Sequence, residues 1–161
     1  MKNKKTMYKS YLNRADLPRG LRNNNPGNLV KTSIPWDGKI PLANNKDPRF
    51  EQFIELRYGI RAKMRDLITD INKGNNTVTG LIKEFAPDFE NNTAAYIATV
   101  VKMTGLSAFS RIDLTEETLI ALCKAISFVE NGASFTKYVT DDDYKDAIAI
   151  LGIKLPKKKA L

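Results

Sequence analysis

The 161-residue chain contains no histidine and one cysteine. Without histidine there is no Ser-His-Asp or Cys-His nucleophilic centre and no His-containing zinc site. A single cysteine cannot close an internal disulfide, so the fold is held by packing alone. Cys123 lies among Leu122, Ala125 and Ile126, which reads as a small core residue rather than a nucleophile. No stretch approaches the roughly 20 apolar residues that span a bilayer. The opening MKNKKTMYKSYLNR has neither an apolar core nor a small-residue cleavage site, so no secretory signal is expected. What remains for catalysis is carboxylate chemistry, with no metal or cofactor implied.

Basic charge, by contrast, is plentiful. Lys and Arg number 26 against 18 Asp and Glu, a net charge of +8. Lys2, Lys4 and Lys5 cluster at one end and Lys157, Lys158 and Lys159 at the other. This balance favours a polyanionic partner such as nucleic acid, anionic lipid or a cell wall, or else describes solvated tails. Basic tails without interleaved aromatics argue against specific nucleic-acid recognition.

The length fits one domain with a real core. Residues 1–16 read as a basic, loosely held N-terminal segment, 17–153 as the folded domain, and 154–161 as a basic C-terminal tail. Residues 17–56 are rich in Asn, Pro and Gly. Leu29-Val30-Lys31 and Lys39-Ile40 flank a Pro35/Asp37-Gly38 turn and predict a small hairpin, with Phe50–Phe53 as a third short strand. Helical spacing then takes over. Ile60, Met64, Leu67 and Ile71 mark one helix, and others are expected over about residues 78–85, 92–104 and 115–130. Asp141 is placed as cap of a last helix that stops at Gly152. The fold class is therefore α+β, mostly α: a helical bundle with a small β-hairpin.

One residue breaks the pattern. Leu119, Leu122, Cys123, Ile126 and Val129 form an apolar stripe, and Glu130 falls inside it. Burial and the negative end of a helix dipole both raise a carboxyl pKa, and a carboxyl so raised can donate a proton to a leaving glycosidic oxygen. Asn131-Gly132 should end the helix there and open the carboxylate to a groove. The residues alone equally allow an exposed Glu130 on a frayed end, or an ion pair with Arg19 or Arg22.

Arg19-Gly20-Leu21-Arg22-Asn23-Asn24-Asn25-Pro26-Gly27-Asn28-Leu29 resembles the R-G-I-R-N-N-N-P-G-N-I segment of phage-encoded lysozyme-like proteins, a family of peptidoglycan hydrolases and virion structural proteins. The similarity continues through Trp36, Phe50, Phe53, Tyr58-Gly59-Ile60-Arg61-Ala62, Phe85-Ala86-Pro87, Glu90-Asn91-Asn92-Thr93 and Tyr96-Ile97, covering about residues 18–132. The chain also looks like flagellar-muramidase-type glucosaminidases and lytic transglycosylases. In those, the helix bearing the catalytic Glu precedes the Asn-rich turn; here the matching segment, Leu119–Gly132, comes last. The resemblance therefore implies a circularly permuted lysozyme-like fold. Domain termini usually lie close together at the surface, so such rewiring is physically cheap.

The resemblance implies cleavage of the peptidoglycan glycan strand, with Glu130 as acid and Glu90 as its rival. Glu90 precedes a helix, where the dipole suits a cap or a base better than a proton donor. Asn24, Asn25, Asn28, Trp36 and Tyr96 are the candidate substrate-binding residues. The asparagines either hold N-acetyl groups or shape the turn, and Tyr96 either meets substrate, holds Glu130 or is a core aromatic. Asp37 and Glu51 are possible second carboxylates. A monomer is expected, in a phage virion or made in the host cytoplasm and delivered to the wall, with bacterial peptidoglycan as partner and other virion proteins as further candidates. The alternative function is a non-catalytic virion component that binds wall or nucleic acid through its basic surface.

Overall fold

The computed structural model describes residues 8–88 and 91–157. Six α-helices follow in order: α1 (Arg19–Arg22), α2 (Leu56–Asn72), α3 (Val78–Phe85), α4 (Thr93–Thr104), α5 (Glu116–Asn131) and α6 (Asp141–Ala149). The protein is mostly helical, and the four long periodic segments of the sequence are all helices. The short α1, inside the Asn-rich region, carries no periodic signal.

Local chemistry sets the helix starts. Thr77, Asn92 and Thr115 each accept a hydrogen bond from a backbone N–H in the first turn of α3, α4 and α5. Thr140, not Asp141, caps α6: it forms a reciprocal capping box with Asp143, and the helix ends at Ala149 rather than Gly152. α2 runs through the middle of the bundle, and its face Ile60, Met64, Leu67 and Ile71 is buried against α3, α5 and α6. Leu119, Leu122, Cys123 and Ile126 of α5 meet the same core.

The β region departs from expectation. The segments around Val30 and Lys39 do not pair with each other; both pair with the stretch around Phe50–Ile54, through the antiparallel bridges Val30–Phe50 and Lys39–Phe53. Glu51 N–H donates to Leu29 O on one side, and Ile40 N–H donates to Gln52 O on the other, at 2.9 and 2.8 Å. Lys39 Nζ spans the intervening loop, donating to the carbonyls of Thr32 and Ile34. The Pro35/Gly38 turn thus widens into a loop that the third strand fills.

The N-terminal segment is not loose from residue 8 onward. Leu56 N–H donates to Lys9 O, Lys9 Nζ donates to Asp143 at 2.8 Å, and the Tyr11 hydroxyl donates to Tyr138 O. The segment straps the Asn-rich region to α6. Lys2, Lys4, Lys5, Lys158 and Lys159 lie outside the described residues. No helix among those described is long and apolar enough to cross a membrane.

Candidate active site around Glu130

The site forms where α5 ends against the Asn-rich turn. Asn24 and Asn28 both adopt left-handed backbone, at φ of 52° and 51°, which asparagine tolerates better than most residues. The turn is pressed directly onto α2. A Cβ on Gly59 would lie 1.6 Å from the Asn24 carbonyl oxygen, so no side chain fits there. Asn131 clips α5 to the same turn, its Nδ2 donating to Pro26 O at 2.8 Å and to Ser127 O at 2.9 Å.

Those contacts bring Glu130 to the turn. Asn28 Nδ2 donates to Glu130 Oε1 at 2.9 Å, and the Tyr96 hydroxyl of α4 donates to Oε2 at 2.9 Å. Burial, then the neighbouring Glu130 charge, push the Tyr96 hydroxyl pKa well above its usual value, so it keeps its proton and remains a donor. Arg19 is paired with Asp47, and Arg22 donates to Leu17 O, so neither arginine neutralises Glu130. The carboxylate is half-buried, at the end of an ordered helix.

Two clefts meet there. One, of about 640 Å³, is lined by Trp36, Phe50 and Phe85 together with Asn28 and Glu130. The other, of about 330 Å³, runs along the start of α4 past Asn92, Ala95 and Tyr96. Glu130 and Asn91 line both, so the carboxylate faces a cleft on either side.

Two of the expected substrate ligands are excluded. Asn24 and Asn25 are fully buried, and their amides are used inside the protein. Asn24 Nδ2 donates to Phe53 O and Ser10 Oγ, while its Oδ1 accepts from Tyr11 N–H. Asn25 bridges Leu29 and Glu51. Both build the turn. Asn28 and Trp36 do line the groove. Tyr96 is almost wholly buried, edge-on to Phe85, and supports Glu130 from behind.

Glu90 lies outside the described residues. Of the possible second carboxylates, Glu51 is fully buried beside Lys39 at 3.0 Å, and Asp37 is exposed and pairs with Arg61 at 3.3 Å. The groove contains instead Asp66, together with Lys63 and Asn91, which the sequence reading did not single out. No group of three or more His, Cys, Asp or Glu among the described residues is arranged to hold a metal ion.

No protein-family model matches the chain. Among curated proteins, it is 37% identical over 132 residues to Protein P5 of Pseudoalteromonas phage PM2. That alignment covers 80% of this chain and 79% of the phage protein. The chain belongs to the family of this phage Protein P5. Most of the described fold, and not an isolated motif, is therefore shared with the P5 relative, which places the protein among bacteriophage-type proteins.

Proposed function

We propose that the protein cleaves the glycan strand of bacterial peptidoglycan, with Glu130 as the general acid. The observation that carries this reading is one carboxylate at the junction of two clefts, gripped by a fixed amide and a fixed hydroxyl. A cleft on each side of the acid suits a polymer cut internally. Glu130 gives its proton to the glycosidic oxygen as the bond from that oxygen to the sugar C1 breaks. With Glu51 enclosed and Asp37 engaged by Arg61, the reading favours a single-acid, lytic-transglycosylase route. A hydroxyl of the same sugar attacks C1, closes an anhydro ring, and returns its proton to Glu130. If water attacks instead, Asp66 is the groove carboxylate available to activate it. Asn28 and Trp36 are the substrate-facing residues, Trp36 offering a face for a sugar ring.

The proposal extends to the fold: a circularly permuted relative of the lysozyme-like enzymes. In its support, Glu130 and Asn28 are 102 residues apart in the chain yet share a hydrogen bond. The sequence order of turn and acid-bearing helix is reversed, while their contact is of the kind the resemblance implies. The phage relationship is compatible with a lysin, acting from a virion or from within an infected cell.

The test is clearing of purified peptidoglycan by the native protein and by Glu130→Gln. Clearing by the first and none by the folded second supports the reading. Equal clearing by both assigns the acid elsewhere, with Glu90 next in line. No clearing of several wall types would favour the binding-only role.

A further inference from the structure

Lys63 is a lysine where the fold has little reason to keep one. It belongs to α2, on the same face as Ile60, Met64 and Leu67, and its side chain is only 4% exposed. Its stem lies against the Asn-rich turn. A Cβ on Gly27 would come within 2.7 Å of Lys63 Cγ and Cδ, so the absence of a side chain at 27 opens the channel the lysine runs through. Lys63 is one of the residues that line the larger cleft, together with Glu130.

There it finds few partners. Nζ stands 3.9 Å from the centre of the Phe85 ring, and the nearest carboxylate, Asp66, is 4.0 Å away. Four ångströms is too long for a hydrogen bond, and Asp66 is itself one-third exposed. An aromatic face offsets part of the charge but fills none of the three N–H donors. Among the described residues no acceptor fills them. A desolvated ammonium with open donors, fixed by its own packing on a residue that lines the cleft, is a preorganised donor site for an anionic oxygen.

We propose that Lys63 forms a carboxylate-recognition subsite, through which the groove selects a glycan bearing acidic substituents over a neutral one. The inference rests on the peptidoglycan reading above and deepens it. Peptidoglycan carries carboxylates on its lactyl ethers when the peptides are absent and on the stem peptides when they are present; neutral chitin-type glycan carries none. The ring of Phe85 connects the subsite to the acid: it lies beside the ammonium and makes a T-shaped contact with Tyr96, which holds Glu130. A substrate carboxylate on Lys63 would thereby fix the strand in register with the proton donor.

The experiment uses the full chain carrying Glu130→Gln, so that binding is read without cleavage. Calorimetric titrations compare chitohexaose, peptide-free peptidoglycan strands, and short peptide-bearing strands. At least one carboxylate-bearing strand should bind about tenfold or more tightly than chitohexaose, and which one does so identifies the carboxylate read. Adding Lys63→Met keeps the stem and removes the charge; it should abolish that preference and leave chitohexaose affinity unchanged. Strands whose carboxyls have been converted to amides should bind the Lys63 protein no better than chitohexaose, a readout that does not depend on a second variant folding. Full affinity for the amidated strands, an unchanged preference in folded Lys63→Met, or equal affinity for all three glycans would overturn the subsite alone. Binding of no glycan at all would overturn the peptidoglycan reading and this inference with it.

Discussion

Tyr96→Phe is a sharp probe of how the acid is held. The substitution keeps the ring, its burial and its edge contact with Phe85, and removes one hydroxyl that donates to Glu130 Oε2 at 2.9 Å. A hydrogen bond to a charged group is worth about 1.5–3 kcal/mol. Glu130 is half-buried beside an open groove, so water can replace part of the lost bond, which points to the lower end. Each 1.36 kcal/mol of lost transition-state stabilisation is tenfold in rate, so kcat should fall about tenfold. KM should stay within about twofold, because Tyr96 is almost wholly buried and its hydroxyl is engaged by Glu130. The melting temperature should fall by no more than about 3–6 °C, as expected for about 1.5 kcal/mol in a chain of this size. Initial rates of turbidity loss from a peptidoglycan suspension, with a thermal melt on each protein, read all three quantities. A folded Tyr96→Phe with full kcat would refute the positioning role. A raised KM with unchanged kcat would make Tyr96 a substrate contact instead.

Other consequences follow from the same contacts. Asn24→Ala removes three hydrogen bonds, one buried and two part-buried, and places alanine at a φ of 52°, so it should destabilise by about 3 kcal/mol. Thermal or urea melts check this, and activity per folded molecule should be unchanged; an unaltered melt with lost activity would return Asn24 to the substrate. The Arg19 guanidinium, helped by backbone N–H groups, holds the Asp47 carboxyl well below its usual range. The native state therefore takes up this proton later than the unfolded chain does. The resulting stability is fully present above about pH 4 and is lost as the pH falls through the native value. Urea titrations between pH 7 and pH 3 should show a flatter acid loss for Asp47→Asn, on a lower baseline; parallel curves would contradict the account. Burial pushes the Cys123 thiol up to about 12, so a thiol reagent should react with the native protein only at the rate of unfolding.

The helices were legible because their signals are local. The stripe of Ile60, Met64, Leu67 and Ile71 needs only a few neighbouring residues, whereas the last helix is capped one residue earlier than its sequence suggests, by Thr140 instead of Asp141. Glu130 was legible for a related reason: a carboxylate inside an apolar stripe is visible without any tertiary knowledge. Lys63 carries the same signal, a charge between Ile60, Met64 and Leu67, and the same argument would have found it. The strand order was not legible. Which of three short segments lies in the middle depends on pairings 20 and 14 residues apart, Val30 with Phe50 and Lys39 with Phe53, and nothing in their alternation ranks them. The asparagines show a further limit. Side chains able to bind an N-acetyl group are equally able to bind backbone, and only the packing of α2 on the turn, through Gly59, decides that Asn24 and Asn25 face inward.

The account turns on Glu130 as proton donor, and the most direct measurement is the chemistry of newly made glycan ends. Native protein and Glu130→Gln, matched by thermal melt, are incubated with purified peptidoglycan, and the soluble products are read by mass spectrometry. The account predicts glycan fragments ending in an anhydro sugar from the native protein and none above background from Glu130→Gln. Reducing ends in place of anhydro ends would keep the acid but move the second step to water. Fragments of either kind released equally by Glu130→Gln would contradict the central claim.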